Sequence, residues 1–277
     1  MNNVTLPPLR DVIARHGLMA TKALGQHFLL DLNLTARIAR AGGDLTNGTC
    51  IEIGPGPGGL TRALLDQGAH VIAIEKDKRC REILGELRGA YPDRLETLEA
   101  DALQIDASQL GAAPRRIIAN LPYNIGTELL LGWLEHINAF ECLVLMFQSE
   151  VALRLTAPAD TKAYGRLSVM TQWLCDVEQL FHVNPKAFTP PPSVNSTVVR
   201  LIPRPEPLAP ARRQTLERVT AAAFGQRRKM LRQSLKSLGV DAEALCRVVG
   251  IDPTARAEVL TVEQFCALAN AIDQKLV

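Results

Sequence analysis

Asn120-Leu121-Pro122-Tyr123 combines, in four consecutive residues, the groups needed to hold an aromatic amine for chemistry at its nitrogen. The Asn side-chain oxygen and a backbone carbonyl freed by Pro122 can each accept one N–H of an exocyclic amino group. Tyr123 offers a flat face on which a planar base can stack. The tetrapeptide follows the apolar run Ile117-Ile118-Ala119, which reads as a buried strand. It therefore falls at a strand's carboxyl end, where open α/β sheets bind their ligands. Taken alone, the same four residues also suit an Asn-Leu-Pro turn beside a core tyrosine.

A second constellation lies upstream. Glu52-Ile53-Gly54-Pro55-Gly56-Pro57-Gly58-Gly59 closes an expected strand and opens a helix. Its glycines let backbone approach a ligand, and the helix start offers unpaired N–H groups. Gly54, Gly56 and Gly59 satisfy the dinucleotide template, with Glu75 at the end of the next strand to take ribose hydroxyls. Pro55 and Pro57, however, each remove an amide where a pyrophosphate would sit. S-adenosylmethionine, which carries no phosphate, loses less from that, so the loop by itself leaves both cofactors open. Asp101, after the third strand, can take an adenine amino group or simply cap a helix. The segment 25–29, Gly-Gln-His-Phe-Leu, can fold over a cofactor as a lid, although His27 equally suits an exposed surface. Phe188 precedes Pro190, Pro191 and Pro192, a stiff strut that would present its ring as a second stacking face; a core phenylalanine before a turn is the plainer alternative.

Positioning these groups requires a sheet. Apolar runs at 50–53, 70–74, 95–99, 116–119 and 143–147 alternate with helical spacing, notably at 77–87 and 127–137. That pattern implies an α/β fold with a mostly parallel sheet. Residues 177–183 and 196–202 alternate like edge strands with an antiparallel partner. Before residue 49 a single amphipathic helix is expected, over 32–41. Pro203, Pro205, Pro207 and Pro210 then break the pattern, and helical spacing resumes over 216–224, 229–238, 242–249 and 262–272. The expected organisation is therefore a domain over 1–205, with 1–48 covering the cofactor, and a small all-helical C-terminal domain over 206–277.

Composition narrows the setting. The 277 residues are 47% hydrophobic and 22% charged, with no apolar run approaching a membrane helix and no secretory h-region at the start. Six scattered cysteines with no C-x-x-C pair read as reduced core thiols of a cytoplasmic protein and give no metal site. Net charge is only +2, yet residues 212–236 hold eight basic side chains against one acid, Glu217. That asymmetry, with Arg227, Arg228, Lys229 and Arg232 at its centre, favours a phosphate-backbone contact over a merely solvated helix face.

Together these motifs resemble the ribosomal RNA adenine dimethyltransferase family, in particular its bacterial small-subunit branch. The matching stretches are 25–29, 52–61, Glu75, 101–103, 120–125, 188–196 and 223–232, in that order along nearly the whole chain. The resemblance implies a Rossmann-like class I methyltransferase domain that uses S-adenosyl-L-methionine. By motif position it puts cofactor contacts on His27, Leu29, Gly54, Gly56, Glu75, Asp101 and Asn120. The target adenine falls on Asn120, Leu121, Pro122 and Tyr123, with Phe188 as the second stacking face. The implied substrate is two adjacent adenines near the 3′ end of 16S rRNA in the small ribosomal subunit, with no metal and no membrane, and the enzyme is expected to be a monomer. His27 stands where many members have Asn, and Gly126 and Glu128 where many have Ser and Pro. A nicotinamide oxidoreductase, a DNA adenine methyltransferase and a catalytically idle assembly factor are the rival readings.

Overall fold

The described residues, 6–21 and 25–276 of this computed structural model, contain nine strands. These are β1 (Phe28–Leu29), β2 (Thr49–Ile53), β3 (Val71–Glu75), β4 (Leu95–Glu99), β5 (Arg115–Asn120), β6 (Phe140–Gln148), β7 (Cys175–Val183), β8 (Phe188–Thr189) and β9 (Ser196–Pro203). Parts of the expected covering segment, residues 1–5 and 22–24, lie outside the description, as does Val277. The α-helices are α1 (Leu9–Arg15), α2 (Leu32–Arg40), α3 (Gly59–Asp66), α4 (Arg81–Ala90), α5 (Gly126–Trp133) and α6 (Ser149–Thr156). They continue with α7 (Arg166–Leu174), α8 (Arg213–Gly225), α9 (Leu231–Ser234), α10 (Ala242–Val248) and α11 (Val262–Asp273).

Seven strands form one sheet in the order β4-β3-β2-β5-β6-β9-β7, while β1 pairs antiparallel with β8. The pairings from β4 through β6 are all parallel, and β9 returns antiparallel to β6. The α/β reading and the antiparallel element near the edge are both borne out. β2 buries all five residues and β5 its central four, as expected of parallel strands covered on both faces. The direction of winding reverses where β2 lies between β3 and β5. A crevice must open there at the strands' carboxyl ends, because the connections leave in opposite directions.

The sequence pattern missed α1. It has only seven residues, too short to stand alone. Tertiary packing holds it: Val12 and Leu18 join Phe28, Cys80, Ile83 and Leu84 in a small apolar cluster, and Arg15 pairs with Glu86 at 2.7 Å. The helix expected over 127–137 is also interrupted. α5 ends at Trp133 and tightens into a 3₁₀ turn in which His136 leaves helical geometry. All six cysteines are free and buried, and burial pushes the Cys142 and Cys246 thiols up to about 11.

The chain divides into two compact units, 1–152 with 178–203, and 153–177 with 204–277. The boundary expected at 206 therefore needs correction, because 153–177 belongs to the helical unit. Trp173 explains why. Its indole N–H donates to the Ala209 carbonyl at 2.7 Å, and the Leu208 N–H donates to the Trp173 carbonyl at 2.8 Å, so α7 anchors the proline-rich segment. Tyr164, Val169 and Met170 then pack with Leu216, Val219, Phe265 and Leu268 in one buried core.

One glycine fixes how the covering strand sits. A Cβ on Gly59, the first residue of α3, would stand 2.4 Å from the Leu29 carbonyl oxygen of β1. Neither backbone can yield easily. Gly59→Ala is expected to cost about 1–3 kcal/mol despite alanine's better helix propensity. Denaturant unfolding checks this; unchanged stability would mean that β1 moves freely.

Candidate active site

A cavity of about 220 Å³ opens at the carboxyl ends of β2, β3, β4 and β5. Each strand delivers one functional group to it. β2 ends at Glu52-Ile53 and turns through Gly54, Gly56 and Gly58, all at positive φ, into α3. Only glycine adopts such a run without strain. Glu75 ends β3, Asp101 follows β4, and Asn120 ends β5. His27, Leu29, Gly54, Gly56, Glu75, Asp101, Asn120, Leu121, Pro122 and Tyr123 all line this one cavity.

The acidic groups differ sharply in environment. Glu75 accepts the Gly56 N–H at 2.9 Å and the Asp77 N–H at 2.7 Å, so it braces the glycine loop. Burial nevertheless raises its carboxyl, with those two amides opposing the shift. Each Glu75 oxygen keeps a second lone pair for a hydroxyl donor. Asp101 caps the turn 102–104 through the Leu103 N–H and pairs with Lys76 at 2.7 Å; the lysine holds its carboxyl low. Glu52 was not singled out in the sequence, although it also lines the cavity. It is 2% exposed and its Oε2 has no hydrogen-bond partner; burial pushes its carboxyl up to about 8, with the nearby Thr61 hydroxyl opposing the shift and Glu75 adding to it. Its signal was present: an acid as the fourth residue of a strand that is otherwise Thr, Cys and Ile.

On the opposite side the four-residue motif is set out as acceptors. Asn120 Nδ2 donates to the His27 carbonyl at 3.2 Å, which fixes the amide so that Oδ1 remains the available acceptor. The Pro122 carbonyl is already occupied by the N–H groups of Ile125 and Gly126, which start α5. The Leu121 carbonyl takes no hydrogen bond among the described residues and is the free one. Tyr123 is braced by its hydroxyl against Ser196 Oγ at 2.5 Å. Phe188 is not among the lining residues. It is 3% exposed, paired across from Leu29 in the small sheet, and lies in the main core. The His27 ring lies 5.6 Å from that of Tyr123 at a tilt of 30°, and Phe188 meets His27 edge-on at 6.3 Å.

The segment 25–29 is also tied through Gln26. Gln26 Nε2 donates to Asp77 Oδ2 at 2.7 Å, and Arg79 pairs with that carboxylate at 2.6 Å. The Arg79 guanidinium, helped by Gln26, pulls the Asp77 carboxyl down to about 2, so the anchor stays charged at any ordinary pH.

A parallel sheet with this cavity at its winding reversal fits any nucleotide-cofactor enzyme; relatives narrow it. The family model described as ribosomal RNA adenine dimethylase matches residues 17–274. The chain belongs to that family. It is 70% identical over 269 residues to a ribosomal RNA small subunit methyltransferase A of Rhodospirillum rubrum, covering 97% of this chain and 93% of that protein. Among solved structures, a dimethyladenosine transferase from Plasmodium falciparum matches with TM-score 0.79 at 25% identity, over 91% of this chain and 99% of that one. The 23S rRNA methyltransferase ErmE matches with TM-score 0.67 at 27% identity, over 89% and 100%. The fold is therefore that of a Rossmann-like class I methyltransferase, and the chain is an enzyme of methyl transfer. No described helix is long and apolar enough to cross a membrane.

Proposed function

We propose that this enzyme dimethylates the N6 amino groups of two adjacent adenines near the 3′ end of 16S rRNA, on the small ribosomal subunit, using S-adenosylmethionine. The observation that carries the reading is the pairing of two free acceptors, Asn120 Oδ1 and the Leu121 carbonyl, beside a cavity lined by a buried carboxyl, Glu52, with one unpartnered oxygen. The residues fit this cofactor. Glu52 would take the amino-acid ammonium, Glu75 the ribose hydroxyls and Asp101 the adenine amino group. The glycine loop, short of two amides at Pro55 and Pro57, would lie against a part with no phosphate. Small-subunit RNA is favoured over large-subunit RNA because the 70% identical relative bears a small-subunit name, whereas ErmE, a 23S enzyme, is only 27% identical.

When bound, the cofactor supplies an electrophilic methyl group. The protein's task is to make a poor nucleophile attack it, since the adenine N6 lone pair is delocalised into the ring. Asn120 Oδ1 and the Leu121 carbonyl would accept its two N–H groups and favour a tetrahedral nitrogen with its lone pair aimed at the methyl. Positioning of this kind provides most of the acceleration. No strong base is required, because the nitrogen's proton becomes acidic once the methyl is attached and leaves to water. The base must be unstacked to enter, which suits a loop or loosely paired RNA.

Labelled methyl transfer from S-adenosylmethionine to undermethylated small subunits, followed by nucleoside analysis, tests the proposal. Dimethyladenosine in the 3′-terminal region of 16S rRNA is the expected product. Incorporation only into duplex DNA or large-subunit RNA, or none despite subunit binding, would reject it.

The helical unit would hold the RNA backbone through fewer residues than its sequence suggests. Arg227 is committed to Glu258 at 3.1 Å and the Lys162 carbonyl at 2.7 Å, and Arg232 lies 3.8 Å from Glu243. Arg228 and Lys229 are exposed, with no carboxylate partner among the described residues. Neutralising both is expected to reduce the slope of log K against log salt by about 1.4–1.8, the value for two lost phosphate contacts. Arg227→Ala is expected instead to cost about 1–2 kcal/mol of stability with little change in slope. A salt titration of subunit binding separates the two; an unchanged slope in the double variant would return these residues to a solvated face.

A further inference from the structure

Side chains alternate across a strand, so Glu52 shares a face of β2 with Cys50. Cys50 lies in the core that Leu60, Ala63 and Leu64 of α3 build with Ala73 of β3, so Glu52 points to the side of the sheet that α3 covers. Its partner across the ladder to β3 is Ala73, too small to enclose a carboxyl. Thr61, in the first turn of α3 and 0% exposed, stands beside it instead. Glu52 Oε2 and Thr61 Oγ1 are both enclosed, and neither has a hydrogen-bond partner. A helical threonine can turn its hydroxyl back to a carbonyl one turn earlier, as Thr220 does to Leu216 at 2.9 Å. Thr61 does not, so its proton is free to be given elsewhere. With Oε2 enclosed, Oε1 is the oxygen that meets the cavity.

We propose that Thr61 is a positioning residue in cofactor recognition, its hydroxyl donating to Oε2 of the ionised Glu52 so that Oε1 faces the ammonium of S-adenosylmethionine. This rests on the cofactor reading above. The terminal torsion of a glutamate is soft, so a small rotation joins two oxygens that already lie side by side. The bond stiffens the carboxyl about that torsion, and a fixed Oε1 loses less freedom when the ammonium arrives. The hydroxyl serves either protonation state, accepting from the acid and donating to the carboxylate, and the charged form gains more. The proton that leaves Glu52 goes to solvent, and no covalent bond changes at Thr61. The titratable groups around this carboxyl oppose its charge or carry none. Glu75 of β3 disfavours ionisation, and the Cys50 thiol stays neutral because burial pushes it well up. Thr61 is the neighbour placed to favour the carboxylate.

Thr61→Val keeps the shape and removes the hydroxyl, and Thr61→Ser restores it; unfolding midpoints establish that each variant is folded. Two readouts are needed. Carboxyl carbon resonances follow the Glu52 titration in the enzyme without cofactor, with Glu52→Gln to assign the signal. Calorimetry gives the Kd for S-adenosylmethionine from about pH 6 to about pH 9, the range in which Glu52 and the cofactor ammonium exchange their protons. A hydrogen bond to a charged acceptor exceeds one to a neutral partner by about five- to tenfold in an equilibrium, so valine should raise the Glu52 midpoint by about 0.7–1 pH unit. Cofactor Kd should weaken by the same factor, about five- to tenfold, near pH 6, and the gap should narrow to about twofold or less near pH 9. Serine should recover most of both. A Glu52 midpoint that does not move in the valine variant would overturn the proposal. So would a loss of affinity that is equal at every pH, or one that serine fails to repair. If the midpoint responds to Thr61 but wild-type enzyme binds no S-adenosylmethionine, the cofactor reading itself fails and the recognition role goes with it.

Discussion

Asn120→Ala is expected to lower kcat for methyl transfer by about 10²–10³, the usual cost of losing one preorganised polar contact to a reacting centre. Two losses coincide in that variant. Oδ1 disappears as the acceptor for one N–H of the target amine. The Nδ2 donor that meets the His27 carbonyl at 3.2 Å also goes, which loosens segment 25–29 from the end of β5. Cofactor affinity should fall far less, because Glu52, Glu75, Asp101 and the glycine loop are untouched. Single-turnover transfer to undermethylated subunits, alongside calorimetric titration of S-adenosylmethionine, separates the two effects. Near-wild-type turnover would remove Asn120 from the acceptor role. A collapse of cofactor binding would make it primarily a cofactor contact. Asn120→Asp sharpens the result, since it retains an acceptor oxygen but sets a carboxylate against the His27 carbonyl.

The elements that hold these groups were largely legible in the sequence because parallel strands are buried on both faces. Apolar runs at 50–53 and 116–119 can hardly be anything else when a glycine loop follows one and Asn-Leu-Pro-Tyr the other. Polar residues at strand ends inherit that clarity, and Glu75, Asp101 and Asn120 all line one cavity. Elements fixed by tertiary contact were not legible. α1 has seven residues whose stability comes from Phe28 and Ile83, neither of them a local neighbour. The helical unit's claim on 153–177 depends on Trp173 reaching Ala209, across 36 residues. Side-chain direction was the other blind spot. Three prolines after Phe188 suggest a presented ring, yet Phe188, paired across from Leu29, is 3% exposed and lies in the main core. Charge counting likewise overstated the basic cluster, because Glu243 and Glu258 are distant in sequence from the arginines they meet.

Glu52 yields the other large expected effect, through a sign that can be worked out in advance. Its carboxyl stands at about 8 in the folded protein against an ordinary 4.5, so the folded state binds the extra proton. The stability contributed by the neutral form is complete below about 4.5 and is lost as pH rises through about 8. Glu52→Gln, neutral at every pH, should therefore match wild type near pH 5 and exceed it by a few kcal/mol near pH 9. The cofactor should respond in the opposite sense. An ammonium beside the Glu52 carboxyl requires the carboxylate, so binding expels the proton, and wild-type affinity should rise by up to about tenfold per pH unit between pH 6 and 7.5. It should fall again above about 8 as the cofactor's own α-amino group, with a pKa near 7.7–8.0, loses its charge. The glutamine variant should bind about 10- to 100-fold more weakly near pH 7.5, without the rising limb. Calorimetry in buffers of different ionisation enthalpy counts the released proton directly. A more stable variant that still binds cofactor normally would leave Glu52 as a cost of the fold with no part in recognition. Pairing increased stability with weakened binding would instead identify Glu52 as a buried carboxyl whose charge is costly to the fold and is offset when the ligand's ammonium arrives.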